Sequence, residues 1–386
     1  MLILSITAGQ GHNATARAVQ DAMEMIPGCE AVVLDTFKYV DNNINRTIDK
    51  GYTLGVRFSP KTWGQLYEIA YDHTLSERRL SVSRMLRGIL ANKLVTFIQK
   101  YQPDVIICTH CFPALLMANL RQKGKINAKL MGVLTDFTLH PYWQDIDMEA
   151  FVIADARLMY GIAKKGIDPA IMYPLGIPIQ PKFSITTPKT EARKQLDIPD
   201  RPTVLLMSGS FGFGEITQHI RALDALPLPF QIISISGSNT RLKKRVDDME
   251  TAKTVFRHGF VNNVDVMMDA ADCIVTKPGG ITTSEALAKH LPLVMVNPIP
   301  GQEARNAAFL TNCGVGMEVR DSFPVDEAVH ALLSHPAQAQ AMRMMQKDMG
   351  KPYAARDVAH LAYKLCGKTV PEKGSAAIAF HEDTRR

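Results

Sequence analysis

The chain has 386 residues, 46% of them hydrophobic, and a formal net charge of +6. That length exceeds one ordinary core and fits two domains of common size, and the apolar content supports folded cores. Six cysteines scattered from Cys29 to Cys366 make no disulfide framework, and no apolar run reaches the roughly 18 residues needed to cross a bilayer.

The chain opens on Leu2-Ile3-Leu4-Ser5-Ile6 without the charged flank and cleavage site of a signal peptide, which predicts a cytosolic protein. Residues 2–7 read as a buried strand, 8–12 as a glycine-containing loop and 13–26 as a helix. In that helix Val19, Ala22, Met23 and Ile26 recur at the spacing of one apolar face. Strand 30–35 follows. Gly9-Gln-Gly11-His-Asn-Ala14 after a strand, with Asp35 ending the next, satisfies the loose dinucleotide fingerprint. His12 in that loop would crowd a pyrophosphate held against the backbone, whereas an imidazole at a helix N-terminus suits proton chemistry.

Residues 46–100 hold ten basic residues against four acidic ones, so this segment carries the whole net charge. It also holds Tyr52, Phe58, Trp63, Tyr67 and Tyr71. Basic residues mixed with aromatics suit a surface that meets anionic lipid; a solvated helical face over a buried aromatic stripe would look the same. Strands at 104–108 and 129–135 then enclose a helix at 113–121, the alternation of a parallel sheet with crossover helices. The pair Cys108 and Cys111 lacks the second pair of a structural zinc site. Leu134-Thr-Asp136-Phe-Thr-Leu-His140-Pro-Tyr-Trp143 ends a strand and is expected to bring a carboxylate, an imidazole and an indole to one rim. Asp145-Ile-Asp147 has the look of a paired-aspartate metal motif, discounted because helix N-termini can neutralise a leaving group without a metal.

Pro174 to Pro181 and the polar stretch 184–202 read as a connector, after which strands near 203–208, 230–236, 254–258, 273–276, 292–297 and 315–319 form a second doubly wound unit. Ser208-Gly-Ser-Phe-Gly-Phe-Gly214 joins strand to helix with small residues that let backbone N–H groups reach an anion. Lys277-Pro-Gly-Gly-Ile-Thr-Thr-Ser-Glu285 sits at another strand-to-helix junction. Gly279 and Gly280 leave room for a ligand, Thr282 or Thr283 is expected to cap the helix or bond phosphate, and Glu285 is placed in its first turn, where it either binds a ribose or closes a capping box with Thr282. Asn297 to Glu303, with Asn306 one turn on, forms a neighbouring polar edge. Helical patterns run from Val325 to Cys366, and 367–386 reads as a disordered tail. Two such sheets in tandem imply a cleft between their carboxyl edges.

Together Gly9-Gln-Gly-His-Asn13, Thr135-Asp-Phe with His140 and Trp143, Gly176-Ile-Pro178, Ser208 to Gly214, Gly259-Phe260, Lys277-Pro-Gly-Gly280 and Gln302-Glu303 with Asn306 resemble the monogalactosyldiacylglycerol synthase and processive diacylglycerol glucosyltransferase family. That family is distantly similar to the transferase of the second lipid-linked peptidoglycan precursor, and the resemblance covers nearly all of residues 1–366. Cys111 departs from it, standing where the family often has proline. The resemblance implies a GT-B fold, two Rossmann-like doubly wound domains facing across a cleft, and inverting transfer of a hexose from UDP-glucose or UDP-galactose to a diacylglycerol-type acceptor, with no cofactor and no essential metal. Residues 1–180 would be the acceptor- and membrane-facing domain, 181–199 a linker and 200–350 the UDP-sugar domain, with a helix near 352–366 packing back on the first.

By that analogy Asp136 or His12 is the base, with Gly11, Asn13, His140 and Trp143 near acceptor and sugar. The donor falls to Ser208, Gly209, Ser210, Gly212, Gly237, Phe260, Val261, Lys277, Pro278, Gly279, Gly280, Thr282, Thr283, Glu285, Gln302, Glu303 and Asn306. The expected partner is an anionic membrane at the inner face of the cell, not nucleic acid. A UDP-sugar epimerase can use the same fold but would dispense with the basic aromatic segment.

Overall fold

The computed structural model describes residues 1–7, 11–40, 89–144, 146–207 and 216–369. The basic aromatic segment before residue 89, the paired-aspartate residue Asp145, the loop that holds Ser208, Gly209, Ser210 and Gly212, and the tail beyond 369 lie outside the described residues.

Two six-stranded sheets carry the fold, and every strand pairing in them is parallel. The first comprises β1 (Leu2–Ser5), β2 (Val32–Asp35), β3 (Val105–Cys108), β4 (Lys129–Val133), β5 (Ala150–Val152) and β6 (Met172–Tyr173), in the order β2-β1-β3-β4-β5-β6. The second comprises β7 (Thr203–Met207), β8 (Gln231–Ile235), β9 (Val255–His258), β10 (Cys273–Thr276), β11 (Leu293–Met295) and β12 (Gly316–Glu318), in the order β12-β11-β10-β7-β8-β9. The short β5 and β6 escape a reading of hydrophobic runs because three and two residues are too few to show a period.

The central strands are buried on both faces. Leu2, Ile3 and Leu4 are fully covered, as are Val105, Ile106 and Ile107, and they alternate between two cores, one on each side of the first sheet. Helix α1 (Gly11–Glu24) places Ala16, Val19 and Met23 on one of these cores, and α2 (Cys111–Gln122) places Ala114, Met117 and Leu120 on the other. The second sheet is covered in the same way. Helix α3 (Gly280–Ala288) and α4 (Gln302–Asn312) lie on its inner side, with Ala286, Leu287, Ala307 and Leu310 in the core. The last helix, α5 (Ala354–Leu365), returns to the first sheet, where Ala355, Val358, Ala359 and Ala362 share a core with Ile3 and Val19.

The connecting stretch 181–199 is anchored, not open. Its helix Lys189–Gln195 is tied to Asp272 by Lys189 at 2.6 Å and Arg193 at 2.8 Å. Asp269 takes the backbone N–H of Thr187 at 3.0 Å and the ammonium of Lys289 at 2.7 Å, in an ion pair sealed from solvent. Removing one partner would strand the other charge at a cost of about 3–5 kcal/mol.

In an open parallel sheet, the loops on either side of the point where strand order reverses spread apart and leave a crevice. In the first sheet that point falls between β1 and β3, whose following segments carry His12 and His110. In the second it falls between β7 and β10, whose following segments are 208–215 and Lys277 to Gly280.

Candidate active site

The two crevices meet. A Cβ added to Gly280, at the start of α3, would lie 1.9 Å from the carbonyl oxygen of Thr135, and one added to Gly11, at the start of α1, would touch Ile281 at 3.3 Å. Only a residue without a side chain lets α3 come this close to the end of β4. Two helix N-termini, from different sheets, therefore open onto the same space. Their unpaired N–H groups and dipoles favour an anion there.

Asp136 stands just beyond β4 at this contact, 9% exposed. The side-chain amide of Asn306 donates to its Oδ1 at 2.8 Å, that of Gln302 donates to its Oδ2, and the Thr135 hydroxyl lies 3.4 Å from the same Oδ2. Burial raises the Asp136 carboxyl to about 7; hydrogen bonds from Asn306 and Gln302 oppose the rise and the charge of Glu303 adds to it. The carboxyl is thus poised near neutrality, where a base both accepts a proton readily and is present ionised.

His12 lies on the other side of Thr135. Its Nδ1 is 2.9 Å from the Thr109 carbonyl and 3.1 Å from the Thr135 hydroxyl. A carbonyl can only accept, so Nδ1 carries the proton and Nε2 is left with a lone pair. Burial lowers His12 to about 4, so it stays neutral at working pH and is a weaker base than Asp136. Asn13 does not face the cleft with a free amide. It accepts from Ser5 at 2.6 Å and donates to Thr7 at 3.0 Å, bracing the loop after β1, and Asp35 accepts from the same Thr7 while capping the next helix through Lys38 N–H.

His110 is the residue that sequence reasoning missed. It caps α2 by accepting the Phe112 N–H at 3.1 Å, and its ring meets His12 edge-on at 4.7 Å. Phe112 and Tyr142 continue the aromatic surface to His140, which caps a short 3₁₀ turn through Tyr142 N–H. The signal available was position: His110 follows β3, the other strand at the reversal point. Its neighbour Cys111 is buried with its thiol pushed up to about 12, and Cys108 is pushed up further, so both are inert packing.

Trp143 is not on the rim. It is 4% exposed and stacks obliquely on Phe151 at 5.1 Å, in a space that exists because Gly132 has no side chain; a Cβ there would meet the indole at 2.8 Å. Asp147 points away from the cleft, its side chain 90% exposed and paired with Arg121.

On the second sheet, α3 starts at Gly280 with Gly279 as its N-cap and no side-chain cap. Glu285 is therefore the sixth residue of the helix, not a first-turn residue, and the expected capping box with Thr282 does not form. Thr283 is also turned inward, donating to the carbonyls of Gly279 at 2.8 Å and Gly280 at 3.2 Å, so Thr282 is the hydroxyl left near the helix start. Glu285 is half-buried, its backbone carbonyl accepting the Lys289 N–H at 3.1 Å while its carboxylate makes no hydrogen bond with described residues. Burial raises it to about 8, with the Lys182 charge pulling it down and Asp265 pushing it up. Phe260 follows β9 and is 74% exposed, with Val261 packed on the core, and a Cβ added to Gly259 would lie 3.8 Å from the carbonyl of Gly237, itself at φ 60°. Lys277 pairs with Glu303 at 3.5 Å, and Glu303 also accepts the Ile299 N–H at 2.8 Å.

Residues 12–179 match the family model for monogalactosyldiacylglycerol (MGDG) synthase, and residues 188–346 match that for glycosyl transferases group 1. The processive diacylglycerol beta-glucosyltransferase of Bacillus pumilus is 27% identical over 93% of this chain and 93% of its own length. That of Staphylococcus saprophyticus is 31% identical over 71% of this chain and 69% of its own length. The chain belongs to this family of glycosyltransferases.

Among solved structures, MurG of Acinetobacter baumannii superposes with a TM-score of 0.58 at 15% identity, over 94% of this chain and 99% of that one. The glycotransferase of kitacinnamycin superposes at 0.62 and 15% identity, over 94% and 98%. The transferase thus has the GT-B arrangement of two Rossmann-like domains. Its candidate site joins Asp136, His12, Gly11, Gly280, Gln302 and Asn306 in one contact. Phe260 and Gly237 stand at the ends of β9 and β8, and Glu285 lies in α3. Among the described residues no group of histidine, cysteine, aspartate and glutamate side chains could hold a metal ion, and no helix is long and apolar enough to cross a membrane.

Proposed function

We propose that this glycosyltransferase moves a hexose from UDP-glucose or UDP-galactose to a diacylglycerol-type lipid at a membrane surface, with inversion, using Asp136 as the base and no metal. The observation that carries the mechanism is the position of Asp136, held at the end of the first sheet by amides of the second and facing two helix N-termini. The lipid acceptor is supported by the names of the curated relatives, and a UDP-sugar donor by a neighbour of similar fold described as Anabaena Alr3699/HepE in complex with UDP-glucose, at a TM-score of 0.52.

The acceptor hydroxyl attacks the anomeric carbon from the face opposite the nucleotide. Its proton passes to Asp136, and the bond to the diphosphate breaks as the new glycosidic bond forms, so one displacement inverts the centre. Negative charge grows on the departing diphosphate, and the N–H groups that open α1 and α3 are aimed at that space without needing to reorganise. These helix ends take the part a divalent cation plays elsewhere. On the nucleotide, the exposed Phe260 ring offers a face for uracil, and Glu285 offers a carboxylate to the ribose hydroxyls. The basic and aromatic residues between 46 and 100 supply the attraction to anionic lipid and place the enzyme on the inner membrane face.

Incubation with a panel of UDP-sugars and diacylglycerol vesicles, followed by product analysis, tests the reading. A β-linked glycosyl diacylglycerol formed at full rate in EDTA is expected. An α-linked product would overturn inversion, loss on chelation restored by Mn²⁺ would overturn metal independence, and turnover of UDP-sugar to its epimer without lipid would favour the epimerase.

A further inference from the structure

The sequence puts Asn306 among the donor ligands, yet it is fully buried and both its amide hydrogens are engaged. Nδ2 has two hydrogens. One goes to Asp136 Oδ1 at 2.8 Å and the other to the Pro278 carbonyl at 3.1 Å, while Oδ1 accepts the Phe137 N–H at 2.9 Å. A sugar oxygen could accept from it only by breaking one of the two Nδ2 bonds. Two of the three, those to residues 136 and 137, cross from the second sheet's helix α4 to the first sheet's β4 loop. The third ties the same amide to the Lys277-Pro-Gly-Gly turn that opens α3.

We propose that Asn306 is the positioning residue of the base: it fixes the Asp136 carboxylate through Oδ1, and does so only while the two sheets are closed on each other. The proposal rests on the reading of Asp136 as the base. Oδ1 accepts the Asn306 N–H and Oδ2 the Gln302 N–H, with the Thr135 hydroxyl facing Oδ2, so the carboxylate is held in one orientation from the second sheet. In the reaction the acceptor O–H bond breaks, its proton joins the Asp136 carboxylate, and the electron pair left on oxygen forms the bond to the anomeric carbon as the diphosphate leaves with its own pair. Parting the sheets removes both Asn306 bonds to residues 136 and 137, so the base is oriented when donor and acceptor domains are together and not before.

The titratable and charged groups around Asp136 are His12 on α1, Glu303 on α4 and Lys277 after β10, which pairs with Glu303. Asn306 is uncharged and bonds the carboxylate, so it favours the ionised form, and its loss must raise the pH at which the base becomes available. The experiment is the pH dependence of kcat and KM with UDP-glucose and diacylglycerol vesicles for wild type, Asn306→Ala, Asn306→Asp and Asp136→Asn. For Asn306→Ala the acidic limb should move up by about one pH unit, with activity recovering as pH rises beyond it and donor KM within about threefold. Asn306→Asp keeps the shape and the acceptor for Phe137 but loses the donor, and two carboxylates then share the site, so its limb should move further. If Asn306→Ala does not fold, the isosteric Asn306→Asp decides on the same criteria. An unmoved limb, a loss by the same factor at every pH, or a raised donor KM with kcat intact would overturn the proposal. Near-normal turnover by Asp136→Asn would instead remove the base reading beneath it.

Discussion

At the carboxyl edge of the first sheet the groups that face the cleft are titratable side chains: His12, His110 and Asp136, with His140 beyond them. The matching edge of the second sheet offers glycines, a bare helix start, two side-chain amides and an exposed phenyl ring, with Glu285 and the Lys277-paired Glu303 as recessed carboxylates. The difference separates proton transfer from recognition. On the proposed reading the nucleotide meets donors and a ring face that do not titrate, with Glu285 as the exception, whereas the proton is handled where burial has pulled Asp136 and His12 to opposite sides of their ordinary values.

The comparison breaks most visibly at Asp136. Asp136→Asn should lower kcat by about 10²- to 10⁴-fold with UDP affinity nearly intact, and wild-type kcat/KM should fall as pH drops below about 7, because the carboxyl raised by burial becomes protonated there. His12, lowered to about 4, should contribute no limb in that range. A dead His12→Ala beside an active Asp136→Asn, measured in the same assay, would reverse the two roles. Trp143 sharpens the comparison from the other side. Lying in the core and not on the rim, it should reveal itself in unfolding, with Trp143→Ala costing about 3–5 kcal/mol of stability in a denaturant titration. An acceptor KM defect without that loss would restore it to the acceptor site.

Gly280→Ala places a methyl where the Thr135 carbonyl now sits, so the sheets must part. A misplacement of about 1 Å is enough to cost on the order of 10²-fold in kcat/KM, while UDP binding should weaken less, because on the proposed reading uracil and ribose meet the second sheet and only the diphosphate also meets α1. Calorimetry of UDP binding beside the kinetics checks that split. The smallest effects belong to recognition. Phe260→Ala should weaken UDP by about 1–3 kcal/mol through lost stacking, and Glu285→Ala by about 1.5–3 kcal/mol through lost hydrogen bonds to a charged group, both with kcat near wild type. Since Glu285 starts out raised to about 8 and accepts from ribose as a carboxylate, UDP binding near neutral pH should release protons, which calorimetry in buffers of different ionisation heat would detect. Binding without proton release would mean that Glu285 stays neutral.

The alternation of strands and helices was legible because the central strands are long apolar runs, Leu2 to Ile6 or Thr203 to Met207, bounded by glycine loops. The short strands β5 and β6 were not, three and two residues being too few to show a period. The helix start at Gly280 was also read several residues late, because a glycine N-cap leaves no side-chain mark in the sequence while Thr282 and Glu285 imitate one. At the site, Asp136 and His12 could be singled out from their places after strands. The sequence could not say that Asn306 would turn from the donor to the base, nor that Trp143 would fall into the hollow above Gly132, since both depend on which element lies across from them.

Gly176, with φ 95°, stands where the chain leaves the first sheet, and a Cβ on it would strike Lys351 at 2.4 Å, where the chain comes back to begin α5. The outgoing and returning segments therefore run side by side. Joined to the rest only by two neighbouring strands of chain, the nucleotide half is mounted like a door on a single post. Turning about that post costs a few backbone torsions, whereas sliding would tear α5 from its core. Opening and closing should follow one axis, and each swing should part or rejoin the Gly280–Thr135 and Asn306–Asp136 contacts together.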